Sequence, residues 1–423
     1  MRLALIPTLF LVLSCSSESL DSGPSVPPEG GSAGSPGAGG GPSGAGGATG
    51  GRSTTGGATS TAGGGAASAD LLDRVFGPES DAPLTVTTLF KPASKLSATA
   101  LAFDPLRAGE LWVVLRQFPV DAPCTADVST GCRALPGRIA LIQGATGDAP
   151  TTVVKDDGNA WHFMRRPSAI AFGDNGNLAT CGEYRTGNYD DEDVDYIGPT
   201  LWSSDPTIFG VEPLEGQNGT HLDMLHNTPF GMGIAHERDN VYWLFNGQIG
   251  ALDRYDFHEP HVIGGEDHSD GEMERYVEGE LLRVAELPSH LALDKSSRRL
   301  YAVDSGHRRV VRLDIDSGTE SGDVPTNDPI VKHARMDGAA LEEFVPPGTL
   351  ERPSGIALGG GIAFVSDNAT NRIYAFDAAG KLLRTADVEL PEQSVGGITL
   401  GPDQRLYLAD LKSGAGYRLN AAE

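Results

Sequence analysis

Cysteine is scarce in this chain, 4 in 423 residues, which excludes a scaffold built on disulfides. Basic residues are few as well: 32 Lys and Arg stand against 57 Asp and Glu, a formal charge of −25. Such a polyanion is repelled by phosphate backbones and anionic lipid surfaces, so neither nucleic-acid binding nor polybasic membrane docking is expected. The apolar run at the N-terminus is about twelve residues, short of the roughly twenty that a membrane helix needs. Sustained helical periodicity is hard to find beyond it. In the part expected to fold there is no Walker loop, HExxH, CxxC or paired-Glu motif. A dedicated ATPase, a thermolysin-like protease, a redox enzyme and a bound nucleotide are therefore not expected.

What is present falls into three materials. Residues 1–14 read as a secretion signal, with one Arg, the apolar run and the small Ser14 before Cys15. Val12-Leu13-Ser14-Cys15 resembles the lipobox of bacterial lipoproteins. That resemblance implies a lipidated, palmitate-bearing Cys15 and a cell-envelope protein held to the membrane by its lipid alone. Ser16 suits the outer membrane by analogy with enterobacterial lipoproteins. A plain secretory signal with a chance Cys is the alternative. Residues 15–68 form a linker: 18 of the 50 residues from Asp21 to Asp70 are Gly, and no aromatic occurs between Phe10 and Phe76. This stretch cannot bury enough apolar area to offset its ordering entropy, so a disordered tether averaging about 40 Å end to end is expected. The GxSxG-like and GxGxxG-like strings inside it have no strand or helix beside them and follow from composition. Residues 69–423 are ample for one sizeable core.

A repeat runs through this last part. Short apolar strands begin at Ala100, Ala169, Gly231, His290, Gly355 and Gly397, spaced by 69, 62, 59, 65 and 42 residues. Each is followed by a turn and a second strand, and the later copies end that strand in Asp, as in Leu300-Tyr301-Ala302-Val303-Asp304. Short strands rich in Val, Ile, Tyr and Phe between Gly/Asp/Asn turns indicate an all-β fold. Six copies of about four strands predict a six-bladed β-propeller. The last copy is short, and Leu84 to Leu89 is expected to supply its outer strand. Pro353 to Asp377 resembles an NHL repeat almost end to end, and Pro288 to Asp314 resembles a second. The resemblance is strong over roughly the last 140 residues and weak in the first three copies, which carry long insertions. NHL propellers are mostly binding platforms, with some enzymes among them, so the resemblance implies fold more closely than function.

The insertions fall between Leu115 and Ile139, between Cys181 and Pro229, and between Asp253 and Pro288, and insertions in repeat folds gather on one face. Six of the ten His lie between His221 and His268. His290 takes a first-strand position that is Gly or Ala in the other copies, so it should project into the channel. His226, His268 and His290, with His162 in a comparable position, are the candidate ligands of one Zn²⁺ or Cu²⁺ at the channel. This layout is similar to that of the peptide-amidating lyases, propellers that hold a metal with His from different blades. The alternative is that these His bond loop backbone or face solvent. Asp190, Asp191, Asp193 and Asp195 are a candidate Ca²⁺ cluster, with a solvated acidic loop as the alternative. Cys124 and Cys132 are expected to form a disulfide pinning a loop. Cys181 reads as a buried, inert thiol, and the strand aromatics as core.

The chain thus reads as a monomeric envelope lipoprotein presenting a propeller whose insertion-rich face engages a protein, peptide or glycan. A metal-dependent hydrolase or lyase is the second reading, and no catalytic residue is assigned.

Overall fold

The computed structural model describes residues 63–78, 82–117, 136–185, 197–211, 218–326 and 330–421. They build six sheets around a channel, each with a blade of four antiparallel strands. Blade 1 is Leu96–Phe103, Leu111–Gln117, Arg138–Gln143 and Thr151–Lys155. Blade 2 is Pro167–Phe172, Asn177–Gly182, Thr200–Ser203 and His221–Met224. Blade 3 is Gly231–Arg238, Val241–Asn246, Ala251–Asp256 and Glu272–Tyr276. Blade 4 is Leu291–Asp294, Arg299–Asp304, Arg309–Asp314 and Leu341–Val345. Blade 5 runs through Pro353–Gly359, Ile362–Asp367, Arg372–Asp377 and Leu382–Asp387.

Blade 6 closes the ring. Val395–Leu400, Leu406–Asp410 and Gly416–Asn420 take Thr85–Phe90 as their outer strand, with Val86 opposite Leu419. This is the closure expected for the Leu84 to Leu89 segment. The first strand of each blade packs against the first strands of its two neighbours, so these six line the channel. Apolar side chains fill the layers between adjacent blades: Val303, Val310, Val365 and Phe376 between blades 4 and 5, for example. Trp112, Trp202 and Trp243 are fully buried, and each indole N–H finds an acceptor, on Glu110, Thr180 and Glu237. These aromatics are core, as their strand positions imply. Cys181 is buried beside Ser168, and burial pushes its thiol up to about 12, which leaves it inert.

The closing Asp of the repeat has a structural task. Asp367 is fully buried; its Oδ2 accepts the Glu351 and Arg352 amides at 2.6 and 2.9 Å, and its Oδ1 accepts those of Ala369 and Thr370 at 3.0 Å. Asp304 likewise takes the Leu282 amide at 2.9 Å and the Arg309 side chain at 2.8 Å. Each carboxylate ties its blade's turn to the chain arriving from the previous blade.

Two elements lie outside the repeat. The helix Gly63–Phe76 straddles the boundary at residue 69, and Leu71, Leu72, Val75 and Phe76 pack into the layer between blades 5 and 6. The hairpin Thr319–Asp323 and Lys332–Asp337, inserted in blade 4, crosses to blade 3. There Lys332–Asp337 pairs in parallel with Glu272–Tyr276 and widens that sheet to six strands. No helix among the described residues is long and apolar enough to cross a membrane.

Candidate functional site

His290 projects into the channel, as its inner-strand position implies, and crosses it. Its Nε2 donates to the Ser168 carbonyl of blade 2 at 3.2 Å. A Cβ on Gly397 of blade 6 would lie only 2.4 Å from its Cε1, so glycine is required there because His290 fills the space. Burial lowers its pKa to about 4, so the ring is neutral at pH 7. On one side a cavity of about 340 Å³ is lined by inner-strand side chains such as Ala102, Ala171, Ile234 and Leu358. On the other, where the inner strands begin, a mouth of about 290 Å³ is lined by Ser97, Arg116, Glu286, Arg352, Asn368 and Lys412.

Charge is concentrated at this mouth. Arg116 ends the second strand of blade 1, and Glu183 follows that of blade 2. Each stands one residue past the position where blades 4 to 6 carry their structural Asp, which is Leu115 in blade 1 and Gly182 in blade 2, and there the two long insertions open. Glu183, with no exposed side-chain surface, accepts Arg116 Nη1 at 2.9 Å, Arg283 Nη1 at 3.0 Å and the Glu286 amide at 2.9 Å. Glu286 pairs in turn with Arg166 and, at 3.2 Å, with Arg116. Burial, and then the like charge of Arg116, pulls the Arg166 guanidinium below its ordinary value. Arg166 and Glu286 both hold left-handed backbone, with φ of 44° and 68°, a conformation that is strained for side-chain-bearing residues. Three guanidiniums therefore face two carboxylates, and Arg352 and Lys412 add positive charge at the rim. The Arg116 side chain is 2% exposed, and its Nη2 has no acceptor among the described residues. A buried guanidinium nitrogen left open is an anion donor in waiting.

The sequence places His226, His268 and His290 together on the channel; the structure does not. His290 is held by Ser168, while His226 and His268 lie near the outermost strand of blade 2, His221–Met224, at the far edge of the sheet. The chain between Asp256 and Glu272 reaches over to that strand: His261 N donates to Leu222 O at 3.0 Å and Gly264 N to His221 O at 2.9 Å. Asp223, His261 and His268 offer ligand atoms all within 4.8 Å of one another. His268 Nδ1 donates to Asp223 Oδ1 at 2.8 Å, whereas Asp223 Oδ2 is buried without a partner. The rings of His221 and His261 lie 4.9 Å apart and those of His261 and His268 5.3 Å apart. His221 stacks on Phe163 at 3.7 Å, and burial, then His261, lowers its pKa to about 3. His226 stands 6.2 Å from His268, ring to ring, and His162, in the short helix Ala160–Phe163, sets its ring edge-on to Phe163 at 4.4 Å.

Sequence reasoning passed over Arg116, Arg166, Glu183, Arg283 and Glu286, and also Asp223 and His261 as partners of His268. Two signals were legible: the charged residues one place past the position where later copies have Asp, and the His221-Leu222-Asp223 spacing that puts both polar groups on one strand face. Cys15, Cys124, Cys132, Asp190, Asp191, Asp193 and Asp195 lie outside the described residues.

Fold and site together define a six-bladed β-propeller with a closed channel and a charged mouth. No family model and no curated protein matches the sequence. Among solved structures, the chain is similar to an auxiliary nutrient binding protein from Bacteroides thetaiotaomicron (11% identity, 79% of this chain and 76% of that one, TM-score 0.48). It is also similar to a streptogramin B lyase (13%, 80% and 98%, 0.43). A third likeness is to the calcium-binding protein regucalcin from Agrobacterium tumefaciens (13%, 81% and 97%, 0.46). These likenesses concern overall fold and carry nothing about ligand or chemistry.

Proposed function

We propose that this chain is a binding propeller that takes a carboxylate-bearing peptide or glycan at the channel mouth. On this reading residues 15–68 and a lipidated Cys15 display it, as a monomer, from the outer membrane of the cell envelope. The supporting observation is Arg116, a residue lining a mouth of net positive charge on a chain of net charge −25, whose buried Nη2 has no acceptor among the described residues. A local positive field on an acidic protein selects the anionic end of a ligand and repels the protein's own kind. Arg116, fixed by Glu183 and Glu286, offers its remaining donor at no further ordering cost. The insertions that open at Arg116 and Glu183 would add contacts around that anchor.

A metal-dependent hydrolase or lyase needs a metal beside a substrate cavity. His290 is bonded across the channel, and the clustered His221, His261 and His268 lie at the outer edge of blade 2, so binding is the reading that the geometry favours. Titration calorimetry with carboxylate-ended peptides and uronate-bearing oligosaccharides, beside amidated and neutral counterparts, tests it. Binding confined to the carboxylates and lost in Arg116→Met supports the reading. Equal binding of neutral counterparts would refute it.

A further inference from the structure

We propose that Asp223, His261 and His268, completed by His221, form a Zn²⁺ site that clamps the blade 3 insertion onto the outer strand of blade 2. The argument is independent of the channel mouth. It begins with tautomers. His221 Nδ1 donates to the Asn218 carbonyl at 2.8 Å, and His261 Nδ1 donates to the Val262 carbonyl at 2.6 Å. Each bond fixes the proton on Nδ1 and leaves an Nε2 lone pair. This is the outer-shell arrangement that orients a metal-binding imidazole, with its other N–H on a backbone carbonyl. The third, His268, holds its Nδ1 2.8 Å from Asp223 Oδ1, and a metal taking both groups as ligands would displace the proton between them.

Two acceptors of this cluster are open. His261 Nε2 and Asp223 Oδ2 are both buried and without hydrogen-bond partners among the described residues. Two orphaned acceptors side by side repel one another and call for a cation or a donor between them. Three imidazoles on one tetrahedral Zn²⁺, with Zn–N of about 2.0–2.1 Å, place their ring centres about 5 Å apart. The observed separations are 4.9, 5.3 and 6.4 Å, so a small movement of His221 or His268 closes the set. Asp223 supplies an oxygen as the fourth ligand. Nitrogen and carboxylate donors in this number suit Zn²⁺, whereas Ca²⁺ takes six to eight oxygens.

The clamp has a mechanical purpose. His221–Met224 is an edge strand, and exposed edges invite unwanted pairing. The insertion covers it through few backbone bonds, those of His261 and Gly264 and that from Asn218 N to Gly264 O at 3.3 Å. A metal bridging His221 and Asp223 on the strand to His261 and His268 on the insertion would lock the two together.

The test uses the purified protein, stripped with chelator, dialysed and titrated with ZnCl₂, beside Asp223→Asn and the double variant His261→Gln, His268→Gln. The expected results are one equivalent of Zn²⁺ per chain in the wild type and loss of that equivalent in both variants. Zinc should also slow proteolysis between residues 257 and 271 in the wild type alone. Melting of the metal-free variants within a few degrees of the metal-free wild type establishes that they fold; for a variant that does not, His221→Gln takes its place. Failure of the wild type to take up Zn²⁺ would overturn the site. Retention of the full equivalent in the double variant would also overturn it, by placing the metal elsewhere.

Discussion

Blades 4 to 6 and blades 1 to 3 share one fold and use it differently. In the later blades the second strand ends in Asp304, Asp367 and Asp410, carboxylates that satisfy amides of their own turns and, for Asp304 and Asp367, amides of the chain arriving from the previous blade. In the earlier blades the corresponding position holds Leu115, Gly182 and Asn246, and the charged Arg116 and Glu183 follow one residue later in blades 1 and 2. There the charged groups bond across the channel mouth to other blades. Repeat regularity therefore marks where the side chains serve the fold. Its loss marks where they are free to serve a ligand, at the expense of buried charge and left-handed backbone.

The comparison can be broken most forcefully in the regular half. Asp367→Ala strands four amides, and denaturant unfolding should show a loss of about 3–5 kcal/mol. A loss below about 1 kcal/mol would mean that the closing Asp does not serve the fold as argued. Next in size is Glu183→Gln, which leaves Arg116, Arg166 and Arg283 against Glu286 alone and should cost about 3 kcal/mol. Added Arg116→Met should recover part of that loss, because it removes one of the uncompensated charges.

A smaller effect concerns His290. Its pKa is about 4 in the folded protein against an ordinary 6.5. Below pH 6.5 the unfolded chain takes up a proton that the folded one refuses. The stability this neutral ring supports is complete above pH 6.5 and falls as the pH drops toward 4, by at most about 3 kcal/mol. Unfolding free energies measured across that window should fall less steeply in His290→Leu. An unchanged slope would show that the ring is not held neutral in the channel.

How much of this was legible in the sequence follows from the same division. The inner strands, the six blades and the closure by Thr85–Phe90 were readable because apolar alternation and turn residues act locally. The hairpin Thr319–Asp323 and Lys332–Asp337 was not, since Thr319–Asp323 is exposed throughout and carries no buried face to betray it. The His-rich segment was visible, but its destination was not. Whether His268 meets His290 or Asp223 depends on the path of an insertion, and insertions obey no period. The Arg116–Glu183 pair joins residues 67 apart in different blades, a contact that only the closed ring creates.

The most direct test of the central claim, that the degenerate half carries the ligand site, is a peptide and glycan array probed with the wild type and with Arg116→Met. The account predicts that bound ligands share a free carboxylate and that the substitution abolishes their signal while the fold persists by circular dichroism. Ligands that bind Arg116→Met as strongly as the wild type would contradict it.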